Sequence, residues 1–200
     1  ELADSICRSR DQLAAVEAIE QVVRGHRDRP LVLRSDRGRG KSAALGIAAA
    51  RLLQGELETV ILTAPLASNV AAVMRHAAQL LEGSRRQGNT LLWRDRRLQY
   101  IPPDELLRLL PPARLLLVDE AAGIPLPLLS RMLSHYHRVV FTTTVHGYEG
   151  TGQGFAIRFA DELTKRRPQW RSLALRQPNS ISVFCALVGL QVVMTPSVAS

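Results

Sequence analysis

The sequence predicts an α/β fold with a mostly parallel sheet and helices on both faces. Short apolar or β-branched segments alternate along the chain with amphipathic or alanine-rich segments. Residues 115–118 are apolar throughout, as expected of a central parallel strand that is covered on both sides. A glycine-rich turn joins an early strand to the helix after it. Such alternation implies right-handed crossovers, which place helices over both faces of the sheet.

The first half of the chain predicts three helices and two strands. Helical spacing of apolar residues, or a run of alanines, predicts helices over residues 11–23, 41–54 and 68–82. Apolar or β-branched runs predict strands over residues 31–33 and 59–63. Pro30 comes directly before the first strand, and we expect Ser68 or Asn69 to cap the third helix.

The second half begins with a polar break over residues 83–89 and then repeats the alternation. The next two short segments, residues 91–93 and 98–101, predict a hairpin. Further helices are predicted over residues 104–110, 126–134 and 155–165, and further strands over residues 115–118 and 139–144. We expect one domain over residues 1–178, followed by an atypical tail, residues 179–200, that fits neither helix nor strand and that we interpret as a truncated or frameshifted end.

Composition limits the class of protein. With 200 residues, 46% of them hydrophobic, the chain can bury a core, which excludes disorder for most of it. Cys7 and Cys185 lie far apart in sequence, support neither a disulfide scaffold nor a four-ligand metal site, and fit a reducing cytoplasm. The most apolar run, residues 181–193, is shorter than the roughly 20 residues of a spanning helix, so we expect no membrane partner.

The formal net charge of +8 favours a polyanionic partner, but biased codon usage gives the same arginine-rich balance. Basic and aromatic residues cluster at residues 93–100 and 165–171. Either cluster can present arginines and a stacking ring to RNA. Each one taken singly is more typical of a solvated charged face with one anchoring aromatic residue.

Residues 35–42 match the phosphate-binding loop G-x-x-x-x-G-K-[ST], except that Ser35 replaces the first glycine. Gly38 and Gly40 let the backbone wrap around phosphate oxygens, and the start of the next helix adds the positive end of its dipole. Lys41 supplies a catalytic charge to the β- and γ-phosphates, and Ser42 supplies a hydroxyl to Mg²⁺. The expected nucleotide-binding residues of this segment are Arg34, Ser35, Asp36, Arg37, Gly38, Arg39, Gly40, Lys41, Ser42 and Ala43. The alternative is a glycine-rich turn that matches by chance.

Two carboxylates follow the apolar strand over residues 115–118. On the sheet of such a nucleotide-binding domain, the first one, Asp119, is positioned to hold Mg²⁺ together with Ser42, and Glu120 is the candidate catalytic base that activates water. The strand over residues 139–144 ends in three threonines, which suits either a sensor of the γ-phosphate or an ordinary β-branched strand.

Gln12 lies upstream of the phosphate loop, where a glutamine of superfamily 1 and 2 helicases reads the adenine edge through its amide. A solvated glutamine on an amphipathic helix is an equally good explanation. With the loop and the acidic pair, these features predict a RecA-like P-loop NTPase that binds ATP or GTP and Mg²⁺.

Taken together, these segments resemble the ATPase (helicase-like) module of the tRNA(Met) cytidine acetyltransferase family, which includes the RNA cytidine acetyltransferases. The resemblance covers residues 10–178. It is most specific over residues 142–152, Thr-Thr-Thr-Val-His-Gly-Tyr-Glu-Gly-Thr-Gly. The other matching stretches are residues 11–19, 36–43, 63–65 and 119–127.

The resemblance implies an enzyme that transfers acetyl from acetyl-CoA to N4 of the wobble cytidine of elongator tRNA(Met), driven by ATP or GTP hydrolysis. Nothing after residue 178 resembles the acetyltransferase domain that follows this module in the family, so acetyl-CoA is expected only in that missing domain. The family has an arginine that reaches the nucleotide phosphates where this chain has Gln153. Arg158, in the following helix, is the nearest substitute.

The sequence therefore predicts the ATP-hydrolysing motor of a cytoplasmic tRNA(Met) cytidine acetyltransferase. A stand-alone RNA helicase or translocase is disfavoured, because strand separation usually needs two RecA-like units and 200 residues hold one. The non-enzymatic alternative is an RNA-docking module that responds to nucleotide but hydrolyses it poorly, since it lacks the family's arginine.

Overall fold

The computed structural model describes residue 7 and residues 9–36, 40–144 and 151–175, without the side chains of residues 151 and 152. The helices are α1 (Arg10–Arg24), α2 (Lys41–Gln54), α3 (Ala67–Leu80), α4 (Pro103–Leu109), α5 (Leu126–His135) and α6 (Thr151–Arg166). The strands are β1 (Leu31–Ser35), β2 (Thr59–Thr63), β3 (Arg85–Gln87), β4 (Thr90–Trp93), β5 (Arg96–Tyr100), β6 (Leu116–Val118), β7 (Val139–Thr144) and β8 (Arg171–Leu175). A 3₁₀ turn spans Ala121–Gly123.

All eight strands form one sheet in the order β3-β4-β5-β2-β6-β7-β1-β8. Six consecutive strands of the sheet pair in parallel: β5, β2, β6, β7, β1 and β8. At one edge, β3, β4 and β5 pair antiparallel. The strand after the phosphate loop, β2, is separated from β1 by β6 and β7. The predicted α/β fold with a mostly parallel sheet is therefore confirmed.

Two apolar clusters cover the two faces of the sheet. The first cluster includes Leu31 and Leu33 of β1 and packs under α1, α2 and α3. The second cluster includes Val32 of the same strand and packs under α4, α5 and α6. Side chains alternate between the faces along a strand, so one buried strand contributes to both clusters. Helices therefore lie on both faces, as predicted.

Several element boundaries differ from the sequence predictions. Helix α3 begins at Ala67 after the cap residue Leu66, so neither Ser68 nor Asn69 is its N-cap; the Asn69 side chain instead accepts a bond from the Leu66 amide at 3.1 Å. Helix α6 begins four residues earlier than predicted, at Thr151. Two strands were not predicted, because β3 lies in the polar break and β8 begins in a basic segment.

Some predictions lie outside the described residues. These are the assignments of Arg37, Gly38 and Arg39, the central part (residues 145–150) of the most specific motif, and the tail at residues 179–200. Among the described helices, none combines the length and the hydropathy that crossing a bilayer requires.

Candidate nucleotide-binding site

The phosphate loop runs from the end of β1 to the start of α2. Gly40 is the N-cap of α2 and has φ 84°, a left-handed conformation that favours glycine. Ala44 is the residue whose amide donates back to the Gly40 carbonyl, at 2.9 Å. The amides of Lys41, Ser42 and Ala43 therefore precede the first intrahelical bond and are open to an anion at the positive end of the helix dipole.

Lys41 is buried, and its ammonium group folds back onto the end of β1. Nζ donates to Ser35 Oγ at 2.9 Å, to the Ser35 carbonyl at 3.3 Å and to the Asp36 carbonyl at 3.5 Å. Burial lowers the pKa of Lys41, and the carboxylates of Glu120, Asp119 and Asp36 oppose that shift. Anionic phosphates next to this ammonium group would stabilise its charged form further.

Asp119 is buried directly after β6, and the neighbouring strands hold it in place. Its amide donates to the Thr63 carbonyl of β2 at 2.9 Å. Its Oδ1 accepts from the Thr142 hydroxyl of β7 at 2.5 Å and from the Glu120 amide at 3.1 Å. Burial raises the pKa of Asp119, and the hydrogen bond from Thr142 opposes that shift. Both side-chain bonds use Oδ1, which leaves Oδ2 for a cation.

Glu120 is half-buried and has an unusual backbone conformation. Its φ of 50° and ψ of 55° are left-handed, which is uncommon for a residue other than glycine. Its Oε2 accepts from the Thr144 hydroxyl at 2.8 Å, and its amide donates to Thr142 Oγ1 at 3.0 Å. Strained backbone of this kind is concentrated at functional sites, where the surrounding structure holds it.

Gln12 packs beside the phosphate loop. It is 7% exposed, although it lies on the amphipathic helix α1. A Cβ atom added at Gly40 would lie 3.3 Å from Gln12 Nε2, so the amide group of Gln12 lies against the N-cap residue of α2. The structure therefore favours a role at this site over a solvated glutamine.

Mg²⁺ fits the donor set at this site. The cation prefers oxygen ligands, keeps several waters, and is usually held by one or two protein oxygens plus substrate phosphates. Ser42, at the second position of α2, and the buried carboxylate of Asp119 supply such oxygens. No group of three or more His, Cys, Asp or Glu residues forms a metal cage within the described residues.

Three more of the expected residues lie on β1 and α6. Arg34 and Val32 are two residues apart on β1, so their side chains are on the same face of the strand. Ser35 is on the opposite face. Gln153 is exposed in the first turns of α6. Arg158 is also exposed and lines a cleft of about 510 Å³, bordered by Phe155 and residues 122–126.

The two basic clusters do not present stacking rings as the sequence suggested. Trp93 and Tyr100 are buried in the first apolar cluster, and Trp93 Nε1 donates to the Glu82 carbonyl at 3.0 Å. Trp170 packs against the second cluster and donates to Thr164 Oγ1 at 3.0 Å. These rings pack within the fold, which leaves the basic and polar side chains of the two clusters as candidates for RNA contact.

Sequence reasoning did not assign the roles of Thr142 and Thr144. The structure shows that each hydroxyl donates to one carboxylate of the acidic pair, to Asp119 and Glu120 respectively. The available signal was their spacing of two, because residues i and i+2 of a strand face the same side. What the sequence could not show was that β7 lies next to β6.

The sequence is similar to a known protein family. Residues 32–181 match the family described as RNA cytidine acetyltransferase NAT10/TcmA, helicase domain. A tRNA(Met) cytidine acetyltransferase TmcA of Nitrosococcus halophilus is 54% identical over 175 residues, covering 88% of this chain and 24% of that protein. The TmcA of Vibrio cholerae is 46% identical over 182 residues, covering 88% and 26%. The chain thus spans about a quarter of the length of these relatives.

Solved structures share the fold at low identity. The large terminase of a thermophilic bacteriophage has a TM-score of 0.61 at 12% identity, over 87% of this chain and 47% of that one. The large terminase ATPase domain of a Thermus phage has a TM-score of 0.54 at 15% identity, over 84% and 80%. The Pyrococcus furiosus Hef helicase domain has a TM-score of 0.53 at 11% identity, over 84% and 38%. The predicted P-loop ATPase fold is confirmed.

Proposed function

The chain belongs to the RNA cytidine acetyltransferase NAT10/TcmA family as its helicase domain, and on this premise we propose that it binds and hydrolyses ATP to drive work on tRNA. One observation carries the proposal. Lys41 Nζ is held at the end of β1 by Ser35 Oγ, and two threonines of β7 hold the carboxylates of Asp119 and Glu120. The charge of these carboxylates opposes the lowering of the Lys41 pKa by burial. Phosphoryl transfer needs this combination of positioning and charge.

Each residue has a role in the proposed reaction. The open amides of Lys41, Ser42 and Ala43 bind the phosphates, and Lys41 neutralises charge that develops on them. Glu120 accepts a proton from the attacking water, and the bond from Thr144 to Oε2 leaves Oε1 to face that water. Ser42 and Asp119 would hold Mg²⁺, which supplies Lewis-acid stabilisation of the phosphates when bound. Gln12 orients the adenine ring of the nucleotide through its side-chain amide.

The proposed setting is a cytoplasmic enzyme that transfers acetyl from acetyl-CoA to N4 of the wobble cytidine of elongator tRNA(Met). The relatives that match this chain are tRNA(Met) cytidine acetyltransferases about four times its length. Acetyl-CoA is therefore assigned to another part of that enzyme, and ATP or GTP to the site described here.

Hydrolysis by two variants tests the proposal. Lys41→Ala should reduce steady-state ATP turnover by about 10²–10³-fold, because one charge that stabilises the transition state is removed. Glu120→Gln should abolish turnover while a fluorescent ATP analogue still binds with Mg²⁺, since shape is kept and only the proton acceptor is lost.

Lys165→Ala is the matched control, because Lys165 is the other lysine of the chain and is exposed in the last turn of α6. Its rate should equal that of the unmodified chain. Unchanged turnover in folded Lys41→Ala would remove the phosphate-loop assignment. Nucleotide binding without turnover in the unmodified chain would instead favour the RNA-docking alternative. The observation behind that alternative is Gln153, which stands where the family has an arginine.

A further inference from the structure

The antiparallel edge of the sheet has one face that no helix covers in the described part of the chain. Leu91, Trp93, Leu98 and Tyr100 of β4 and β5 point to the other face, into the first apolar cluster. No residue of β3, β4 or β5 belongs to the second apolar cluster as far as the structure describes it. In the described part of the chain, the outward side chains of these three strands are therefore exposed or half-buried.

Strand register sets out the side chains of this open face in two rows. Arg85 pairs with Leu92, and Leu92 pairs with Arg97, which makes one row across three strands. In the next row, Gln87 pairs with Thr90, and Thr90 pairs with Gln99. We call these six residues the basic sheet face. Its two arginines are two strand spacings apart, about 10 Å.

The basic sheet face carries uncompensated positive charge. Arg85 and Arg97 are exposed, and neither has an ion pair among the described residues. Residues 83–100 contain five arginines and one carboxylate, that of Asp95 in the turn between β4 and β5. Arg96, one position from Arg97, points to the other face and donates to the carbonyls of Leu53 and Gly55, so it has a structural role.

We propose that the basic sheet face is a docking surface for the phosphate backbone of the RNA substrate. Guanidinium groups form paired hydrogen bonds to phosphate, and a free pair about 10 Å apart can contact two phosphates of a folded RNA. The second row supplies amide and hydroxyl groups that donate to and accept from 2′-hydroxyls and base edges. The face has one half-buried apolar side chain, Leu92, which disfavours an apolar protein partner.

This inference rests on the proposed function only in taking RNA as the partner. The basic sheet face lies at the β3 edge of the sheet, whereas the phosphate loop follows β1 near the β8 edge. Docking of RNA here would leave the nucleotide site free. Loss of RNA binding and loss of ATP hydrolysis can therefore be measured separately.

The test compares two double variants of the whole chain with equal changes in net charge. Arg85→Glu with Arg97→Glu reverses both charges of the basic sheet face. Arg75→Glu with Arg131→Glu reverses two other exposed arginines, on α3 and α5. Binding of a labelled elongator tRNA(Met) transcript is measured by fluorescence anisotropy over a series of salt concentrations.

The first double variant should bind the transcript at least about tenfold more weakly, with a salt-dependence slope reduced by about two, one for each lost phosphate contact. The control should bind within about threefold of the unmodified chain, because screening limits the effect of distant charges. Replacing Arg85 and Arg97 by lysine should preserve most of the affinity. Basal ATP turnover and the midpoint of thermal unfolding should be unchanged in all variants.

Equal affinities for the two glutamate variants would overturn the inference, and would leave Arg85 only the role of preventing edge strand β3 from pairing with other chains. Failure of the unmodified chain to bind the transcript would overturn both this inference and the RNA partner proposed above. ATP turnover measured on the same samples decides the hydrolysis proposal independently.

Discussion

At the scale of single residues, the acidic pair shows how the site is held before any ligand arrives. Asp119 and Glu120 are adjacent in sequence, yet each carboxylate has its own threonine donor from β7. The backbone of Glu120 is left-handed. Such strain and a buried carboxylate both lower the stability of the native state, which proteins tolerate at functional sites.

Replacing Asp119 by asparagine should therefore stabilise the nucleotide-free protein at pH 7. Burial raises the pKa of Asp119 in the folded state, so the ionised carboxylate at neutral pH destabilises the fold, and a neutral amide removes this penalty. The amide oxygen can still accept from Thr142. We expect the thermal midpoint of Asp119→Asn to rise by about 2–5 °C at pH 7.

The sign of the pH dependence follows from the same shift. In the unmodified protein, the native state favours the protonated carboxyl of Asp119, because the pKa of this group is raised on folding. Its contribution to stability is therefore present at low pH, near the pKa of the unfolded chain, and is lost as pH rises through the raised pKa of the folded state. The advantage of Asp119→Asn should shrink as pH falls towards about 4, near the ordinary pKa of an aspartate. An advantage that does not change with pH would show that the carboxylate is not the cause.

At the scale of elements, the close contact between α2 and α3 depends on one glycine. A Cβ atom at Gly46 would lie 2.5 Å from the Val73 carbonyl oxygen and 2.7 Å from His76 Cβ. A backbone oxygen cannot move without its helix, so any side chain at position 46 pushes the helices apart. Helix α2 carries the phosphate loop at its start, so this contact also fixes the loop.

Gly46→Ala should lower the free energy of unfolding by about 1–3 kcal/mol, because overpacking outweighs the gain in helix propensity. Gly154→Ala is the matched control. Gly154 is also helical, in α6, but a Cβ atom there meets nothing within 4 Å. That variant should be more stable by about 0.5–1 kcal/mol. Urea denaturation of both variants checks the pair, and a neutral Gly46→Ala would mean that the helices separate easily.

The start of α6 is the second element with a testable role. If the family's arginine neutralises charge on the γ-phosphate, its replacement by Gln153 leaves a slow ATPase. Arginines in that role contribute about 10³–10⁵ in rate, so even a partial contact gives a measurable gain. We expect Gln153→Arg to raise ATP turnover or tighten nucleotide binding, and Arg158→Ala to have a smaller effect.

Steady-state turnover of the two variants decides between three arrangements. No gain from Gln153→Arg together with a large loss from Arg158→Ala would show that Arg158 has taken over the contact from its cleft beside residues 122–126. No effect from either variant would show that this helix start does not touch nucleotide. A gain from Gln153→Arg alone supports the position of the family's arginine.

At the scale of the whole molecule, the sheet order assembles the site. Strand β7 lies between β1 and β6, so its threonines reach the acidic pair while β1 presents the lysine's anchoring oxygens. Parallel strands end at the same edge, and this brings together residues as distant in sequence as Ser35, Asp119 and Thr144. The antiparallel extension at the other edge leaves the basic sheet face open.

Much of this molecule was predictable from the sequence alone. The phosphate loop and the acidic pair each follow directly after a predicted strand. Residue type and spacing were therefore enough to propose Lys41, Ser42, Asp119 and Glu120 as site residues. The spacing of apolar residues predicted the fold class and most helices and strands, because a buried strand needs apolar residues along its length and an amphipathic helix needs them at helical spacing. The family resemblance was carried by short motifs and is confirmed.

Tertiary structure decided the rest, because those features depend on which strands are neighbours. β3 is short and polar, and β8 begins with the basic residue Arg171; both become strands by pairing with β4 and β1, which no local pattern reveals. In the sequence, Trp93 and Tyr100 resemble rings that stack on bases, but in the structure they face the core. Alternation along a strand shows which side chains share a face of the sheet, and only the packing of helices decides which of the two faces is buried. The same strand pairing places Arg85 and Arg97 together on the basic sheet face.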